Sequence, residues 1–98
     1  ISVVEEEPAV KPRKLFSPDQ KGDLESETWI IENAFLLDGC EIVVYDRQGL
    51  RVYSSVGYPV PWDGTYNGRP LPDGAYFYVI RCYGKVMKKG SVTIARLK

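Results

Sequence analysis

The chain contains no histidine, and that absence alone excludes several classes of site. Ser-His-Asp and Cys-His nucleophile systems, histidine general bases and every zinc site that needs an imidazole ligand are ruled out. Two cysteines are too few for a disulfide scaffold or for a four-thiolate metal centre. The composition therefore points away from the commonest hydrolytic and metal-dependent enzymes.

Long apolar runs and an excess of charge of one sign are also missing. No stretch approaches the roughly 20 apolar residues that span a bilayer, so we expect no membrane insertion. Thirteen basic residues balance thirteen acidic ones, which leaves no global charge to indicate a nucleic-acid partner. The first residue is not methionine, and the acidic residues 5–7 with Pro8 interrupt any signal-peptide pattern. The 98 residues suffice for one domain and read as a piece of a larger protein.

Charge is balanced overall but is unevenly distributed along the chain. Residues 1–46 hold eleven acidic and four basic residues, a net charge of −7, whereas residues 47–98 hold nine basic and two acidic residues, a net charge of +7. Either the two halves pair across one fold and partly cancel, or they form a bipolar surface that docks on a partner, since surface fields mainly steer encounters.

Short β-forming runs separated by turn residues dominate the chain from Leu15 onward. No segment shows the 3.6-residue period of an amphipathic helix, and short strands with turn chemistry between them predict an antiparallel sandwich. Strands are predicted at residues 28–33, 41–45, 50–54, 75–83 and 85–96. Turns are predicted at residues 46–49, 67–68 and 71–74 and at Gly84, with a bulge at Gly90.

Side-chain parity predicts the core, because alternate residues of a strand share a face. The predicted inward residues are Cys40, Ile42, Val44, Tyr76, Tyr78, Ile80, Cys82, Val92 and Ile94. Trp29 and Trp62 are the largest apolar side chains and are expected in the core or as plugs at the ends of the sandwich. Tyr76, just after the turn at Gly74, is expected to bond back to upstream backbone, loosely like a tyrosine corner.

The two cysteines fall on matching parity if the strands at residues 41–45 and 75–83 pair antiparallel. Cys40 then lies near Cys82, within reach of a cross-strand disulfide, which an exported context would permit. The sequence leaves this bond open against two alternatives, namely two small buried apolar side chains or exposure of one of them.

Five motifs resemble, in order, the gliding-motility-associated C-terminal domain. They are residues 15–19 (LFSPD) with Trp29 downstream, residues 42–49 (IVVYDRQG), residues 62–68 (WDGTYNG), residues 71–80 (LPDGAYFYVI), and residues 90–94 (GSVTI) with Arg96. This family, the type B C-terminal sorting domains of type IX secretion substrates, implies an all-β, immunoglobulin-like antiparallel sandwich of about seven strands. The resemblance covers residues 15–98, so residues 1–14 are interpreted as a linker or a remnant of a preceding module, or else as a first strand of the same domain.

The resemblance also implies a function. Such domains direct larger proteins through the type IX secretion machinery to the cell surface or the medium, and they are often carried by long adhesins. The family's opening loop looks like a calcium site, since hard cations favour clustered oxygen ligands. Here the loop is longer and scrambled, so Asp19 and Asp23 are only weak calcium candidates and no metal or other cofactor is expected.

Candidate sites are therefore surfaces rather than catalytic centres. Asp63 and Asp73 sit in turns next to glycine, where aspartate caps its own backbone, so no catalytic residue is expected. The hypothesis for recognition is a basic surface on the last hairpin: Lys85, Lys88, Lys89, Arg96 and Lys98. The lysines could equally protect an edge strand. The structural motif is expected to comprise Trp62, Asp63, Gly64, Pro72, Gly74 and Tyr76.

Two other functions remain open from the residues. One is a structural or adhesive immunoglobulin-like repeat of a surface protein. The other is a small carbohydrate-binding module, although a sugar partner is not expected because such a module needs a contiguous exposed aromatic face. Its candidate residues are Tyr45, Tyr53, Tyr58, Trp62, Tyr66 and Tyr83.

Overall fold

The computed structural model describes residues 10–18 and 27–96. Within them lie nine strands and one short 3-10 helix, at Ala34–Leu37. The strands are β1 (Lys11–Pro12), β2 (Leu15–Phe16), β3 (Ile31–Glu32), β4 (Glu41–Tyr45), β5 (Arg51–Val56), β6 (Thr65–Tyr66), β7 (Arg69–Pro70), β8 (Gly74–Cys82) and β9 (Lys85–Ile94). The predicted all-β class is confirmed.

A five-stranded sheet in the order β2–β9–β8–β4–β5 forms one layer. Its pairs are antiparallel except β2, which runs parallel to β9 through Leu15↔Thr93 and Phe16↔Ile94. The two-stranded sheets β1–β3 and β6–β7 are the other sheets of the described residues. The fold is thus an open immunoglobulin-like sandwich with one large sheet, and its mixed sheet corrects the purely antiparallel prediction.

The β4–β5 hairpin forms where the turn residues predict it. One carboxylate oxygen of Asp46 accepts hydrogen bonds from the backbone N–H groups of Gln48 and Leu50, both at 2.9 Å. Gly49 takes the left-handed conformation, with φ 86°, that closes the turn. β4 has the predicted bounds, and β5 extends two residues further, to Val56.

Prediction of the inward face from parity is confirmed for the central strands. Those inward residues are buried: Cys40, Ile42, Val44, Tyr76, Tyr78, Ile80, Val92 and Ile94. Cys82 is only partly buried, at the end of β8, but packs against the same cluster. Trp29 and Trp62 are 0% and 3% exposed and lie at the centre of this core, as expected.

Gly90 occupies a regular position in β9, so the predicted bulge at this residue is wrong. Gly90 pairs with Tyr78, and the register shift lies nearer the turn, where Met87 is the extra residue between Val86 and Lys88. A β-carbon on Gly90 would come within 2.8 Å of the Tyr78 hydroxyl. Glycine is needed here because a buried tyrosine ring crosses the opposite strand.

The predicted strand at residues 28–33 is shorter than expected. Only β3 is a strand there, because Asn33 adopts a left-handed φ of 64° and the 3-10 helix follows immediately. Trp29 lies before β3 and makes an isolated antiparallel bridge to Trp62.

Residues 10–14 pack against the domain. Val10 is buried in the main core cluster, and β1 pairs with β3 through Lys11↔Glu32 and Pro12↔Ile31. The packed part of the chain therefore begins before Leu15. Residues 1–9, the rest of the predicted linker, lie outside the described residues.

Three aromatic side chains join the short strands to the main sheet. The Tyr58 hydroxyl donates to the carbonyl of Trp29 at 2.6 Å and accepts from the backbone N–H of Trp62 at 2.7 Å. The Trp29 N–H donates to the Trp62 carbonyl at 2.8 Å, and the indole N–H of Trp29 donates to the carbonyl of Arg13 at 2.7 Å. These polar groups are satisfied inside the core, as burial requires.

The structure contains a disulfide between Cys40 and Cys82, with a Cα–Cα distance of 4.3 Å. Because Glu41 pairs with Arg81, the two cysteines face each other at the ends of β4 and β8. Of the alternatives that the sequence left open, the structure adopts the bond. It closes a loop over a sequence separation of 42 residues and so holds the β8 end against β4.

Reduction of this disulfide should destabilise the domain without unfolding the sheet. Chain-entropy arguments put the loss at about 4 kcal/mol for a loop of this length. Urea unfolding of the wild type with and without dithiothreitol, and of a C40A/C82A variant, measures it. An unfolding midpoint that is insensitive to dithiothreitol would contradict the prediction, provided that thiol titration shows full reduction.

Tyr58→Phe should cost about 1–3 kcal/mol of unfolding free energy, because it leaves one buried carbonyl and one buried N–H without their partner. Burial also raises the pKa of Tyr58 above its ordinary value. Neutral Tyr58 therefore stabilises the fold fully below about pH 10, the unfolded pKa, and this contribution is lost as pH rises beyond it.

Unfolding free energies measured from pH 7 to pH 11.5 test both the loss of stability in Tyr58→Phe and the dependence of stability on pH. The wild type should lose more stability above pH 10 than the Tyr58→Phe variant does. Burial also raises the pKa values of Tyr53, Tyr76 and Tyr78, so the variant should retain some alkaline sensitivity. Tyr83→Phe, which removes a hydroxyl from an exposed ring, is the matched control and should behave like the wild type.

Candidate recognition surface

The β8–β9 hairpin carries the predicted lysines and ends in a two-residue turn. Tyr83 and Gly84 form that turn with φ values of 57° and 79°, the left-handed pair that a tight hairpin requires. Glycine adopts this conformation freely, whereas a bulky side chain does so at a cost of roughly 1–2 kcal/mol. Tyr83 is 88% exposed, so burial does not compensate that cost.

Three of the predicted recognition residues cluster near this turn. Lys85 pairs with Cys82, Lys88 with Ile80 and Lys89 with Val79. Strand alternation directs Lys88 and Lys89 to opposite faces of the sheet. The lysines therefore surround the end of the hairpin and its edge instead of lining one face.

None of these three lysines takes part in an ion pair with another described residue. The salt bridges of residues 10–18 and 27–96 are Arg13–Glu32 and Arg96–Asp73. Each of these salt bridges joins two residues of the same half of the chain, so the interpretation in which the acidic and basic halves cancel is supported by no ion pair of the described residues. It does not account for the lysines of the hairpin within the described ranges.

Arg96 lies at the other end of β9 and serves the fold. Its guanidinium donates to the Asp73 carboxylate at 2.6 Å and to the carbonyl of Leu71 at 2.7 Å. Its backbone N–H donates to the second Asp73 oxygen at 2.9 Å. Arg96 is therefore about 23 Å along the strand from Lys89 at the usual rise per residue, and further from Lys88 and Lys85. Lys98 lies outside the described residues.

The turn before β8 is built as the motif predicts. The Tyr76 hydroxyl donates to the carbonyl of Pro72 at 2.6 Å, the expected bond to upstream backbone. Burial, and to a smaller degree the Asp46 carboxylate, raises the pKa of Tyr76, so the phenol stays protonated as a donor. Gly74 has a φ of 143°, a conformation that a side chain would strain.

The Trp62, Asp63 and Gly64 motif forms the other turn of this end. Asp63 accepts from the backbone N–H and the hydroxyl of Thr65, at 3.2 and 2.6 Å. Gly64 has a φ of 81° and packs so closely that a β-carbon would lie 3.2 Å from Pro18. Asp63 and Asp73 are thus both engaged in holding turns.

The aromatic side chains weighed for sugar binding do not form one exposed surface. Trp62 is buried, and Tyr53, Tyr58 and Tyr66 pack against the core cluster. Trp62 makes ring contacts with Phe16, Trp29, Tyr53 and Tyr76 at centroid distances of 5.5–6.3 Å. These rings stabilise the fold, and the exposed Tyr83 lies apart from them in the hairpin turn.

The weak calcium candidates, Asp19 and Asp23, lie outside the described residues. Within residues 10–18 and 27–96, no group of three His, Cys, Asp or Glu side chains could hold a metal ion. No helix in the described part of the chain is long and apolar enough to cross a membrane.

Sequence reasoning missed the role of Tyr83. The signal was present, since two residues ending in glycine separate two long strand patterns, as in a tight hairpin. A tyrosine in the first of those positions is unusual because asparagine, aspartate and glycine are preferred there. An exposed aromatic side chain held in that conformation marks the hairpin end as a candidate site.

Comparison with known proteins agrees with this all-β architecture and its ordered motifs. The family model of the CHU_C type IX secretion signal domain matches residues 10–94, nearly the whole of the described chain. Neither the curated proteins nor the solved structures contain a significant match. The matched range includes Val10 and β1, which also pack into the fold. The chain belongs to the CHU_C type IX secretion signal domain family.

Proposed function

We propose that this secretion signal domain is a non-catalytic address that the type IX machinery recognises in its folded form. The parent protein would be delivered to the cell surface or the medium. The family match over residues 10–94 carries this proposal. A signal of this kind works by presenting a stable surface, and the disulfide and the satisfied aromatic core supply that stability.

The engagement of its acidic side chains supports a non-catalytic role. A cleft of about 550 Å³ is lined by Glu27, Asp63 and Arg96 among mainly apolar neighbours, and Glu27 is not free. Asp63 is bonded to Thr65, and Arg96 is bonded to Asp73 and Leu71. A general acid or base needs a carboxyl that is free to meet a substrate proton, and these groups are used by the fold instead.

We further propose that the machinery contacts the hairpin end, defined here as Tyr83, Lys85, Lys88 and Lys89. This end combines an exposed ring, on a residue with a left-handed backbone conformation, with cations that lack an ion pair to any described residue. Long-range attraction between such cations and an acidic partner would raise the rate of encounter.

A reporter fused to residues 1–98 should be exported by a bacterium that has a type IX system and retained by one in which the system is inactivated. The triple variant K85E/K88E/K89E should reduce export strongly, since it reverses the charge of the hairpin end. The matched control R47E/R51E/R69E reverses three exposed arginines elsewhere and should leave export near the wild-type level. Equal export of the two triple variants would refute the assignment of the surface.

Tyr83→Asn should separate stability from recognition. Asparagine tolerates the left-handed conformation, so the variant should gain about 0.5–1 kcal/mol of stability, a rise in melting temperature of a few degrees. Export should nevertheless fall because the exposed ring is gone. Tyr83→Phe keeps the ring and should match the wild type in both measurements. Unchanged export of Tyr83→Asn would show that the ring has no role.

A further inference from the structure

The edge of β9 near the hairpin end has no partner strand among the described residues. β9 is ten residues long, and β8 covers one of its edges along its whole length. β2 covers the other edge only at Thr93 and Ile94. Between the bulge residue Met87 and this contact, no described residue pairs with that edge of β9.

The direction of the free backbone groups follows from strand alternation. The N–H groups of Thr93 and Ala95 donate toward the β2 segment, to Lys14 and Phe16. Because alternate residues point to the same edge, the N–H and C=O groups of Lys89 and the N–H group of Ser91 face that same edge. Both residues are exposed, and the intervening Gly90 has no side chain to obstruct an approaching chain.

The charge of this edge selects its partner. Lys85, Lys88 and Lys89 flank the open stretch and form no ion pair with a described residue. A second copy of the domain paired antiparallel about Lys89 would place this lysine opposite its own copy, which is destabilising. An extended segment that carries acidic side chains would instead gain both ladder hydrogen bonds and charge complementarity.

We propose that the β9 edge, centred on Lys89, binds an extended acidic segment of a partner protein by strand addition. The inference rests on the proposed function and names how the machinery would engage the domain. Lysines on an edge repel non-specific strands, and the same lysines admit a strand of opposite charge. The lysines thus protect the edge from non-specific pairing and also select an acidic partner strand.

Binding of synthetic peptides to the 98-residue chain tests whether the β9 edge binds an acidic segment by strand addition. The probe is a set of ten-residue peptides in which Glu alternates with Val or Thr, and the control set has Lys in place of Glu. Amide hydrogen exchange followed by NMR should show slower exchange at Lys89 and Ser91, by roughly tenfold or more, only with the acidic set. Those amides should exchange freely in the domain alone, and protection there would show an edge that is already covered and overturn the proposal.

Two variants separate backbone pairing from charge attraction. Lys89→Ala and Lys89→Pro lose the same charge, but only the proline lacks the N–H that faces the free edge. The alanine variant should bind the acidic peptides, and the proline variant should bind at least about tenfold more weakly. If the proline variant fails to fold, K85E/K88E against the control R47E/R69E provides the comparison. Whichever of these two pairs is measured, equal binding of the acidic peptides by its two members would overturn the proposal.

Other outcomes are also decisive. Peptide binding without protection of Lys89 and Ser91, no peptide binding at millimolar concentration, or binding to vesicles of anionic phospholipid instead of peptides would overturn strand addition. Export of the reporter fusion distinguishes a failure of the proposed function from a failure of the strand-addition mode. A wild-type fusion that is not exported refutes the proposed function. Export of the wild type and of Lys89→Pro to the same level refutes only the mode of recognition.

Discussion

The fold depends on the contact between Trp29 and Trp62, which the Tyr58 hydroxyl bridges. Both indoles are almost fully buried, and their ring contacts reach Phe16, Tyr53, Tyr76 and Tyr78 at the same centre. A single large sheet with two-residue strands around it has few backbone hydrogen bonds between its parts. The aromatic cluster supplies the apolar burial that joins them, and the satisfied polar atoms of the same rings fix their positions.

Side-chain contacts and the disulfide secure the two ends of the β8–β9 hairpin. At one end, Arg96 and Tyr76 secure the chain around the turn before β8. At the other, the disulfide joins the ends of β4 and β8 at Cys82, directly before the two-residue turn at Tyr83 and Gly84. The turn with the exposed Tyr83 therefore extends from a strand end that the disulfide holds against β4. The basic side chains have two different roles. Arg13 and Arg96 form salt bridges within the fold, whereas the hairpin lysines have no ion pair to a described residue.

Much of the fold was predictable because local signals agreed with one another. Alternation placed Ile42, Tyr78 and Val92 on the inward face, and the glycine and aspartate turns delimited the hairpins. The errors have identifiable causes. Gly90 resembles a bulge residue in sequence, but its role is set by the Tyr78 ring across the ladder. The parallel pairing of β2 with β9 joins residues nearly 80 positions apart, and no local pattern specifies such a contact.

The sequence by itself determined the all-β class, the order of the hairpins, the inward residues and the exclusion of histidine chemistry, because these follow from side-chain type and from periods of two residues. Only the tertiary structure decided which charges are used internally. It assigned Arg96 to a turn far from the hairpin lysines, and it left a stretch of β9 beside those lysines with no partner strand among the described residues. The physical reason is that pairing of strands and charges depends on distances between chain segments, and those distances exist only once the sheet has closed.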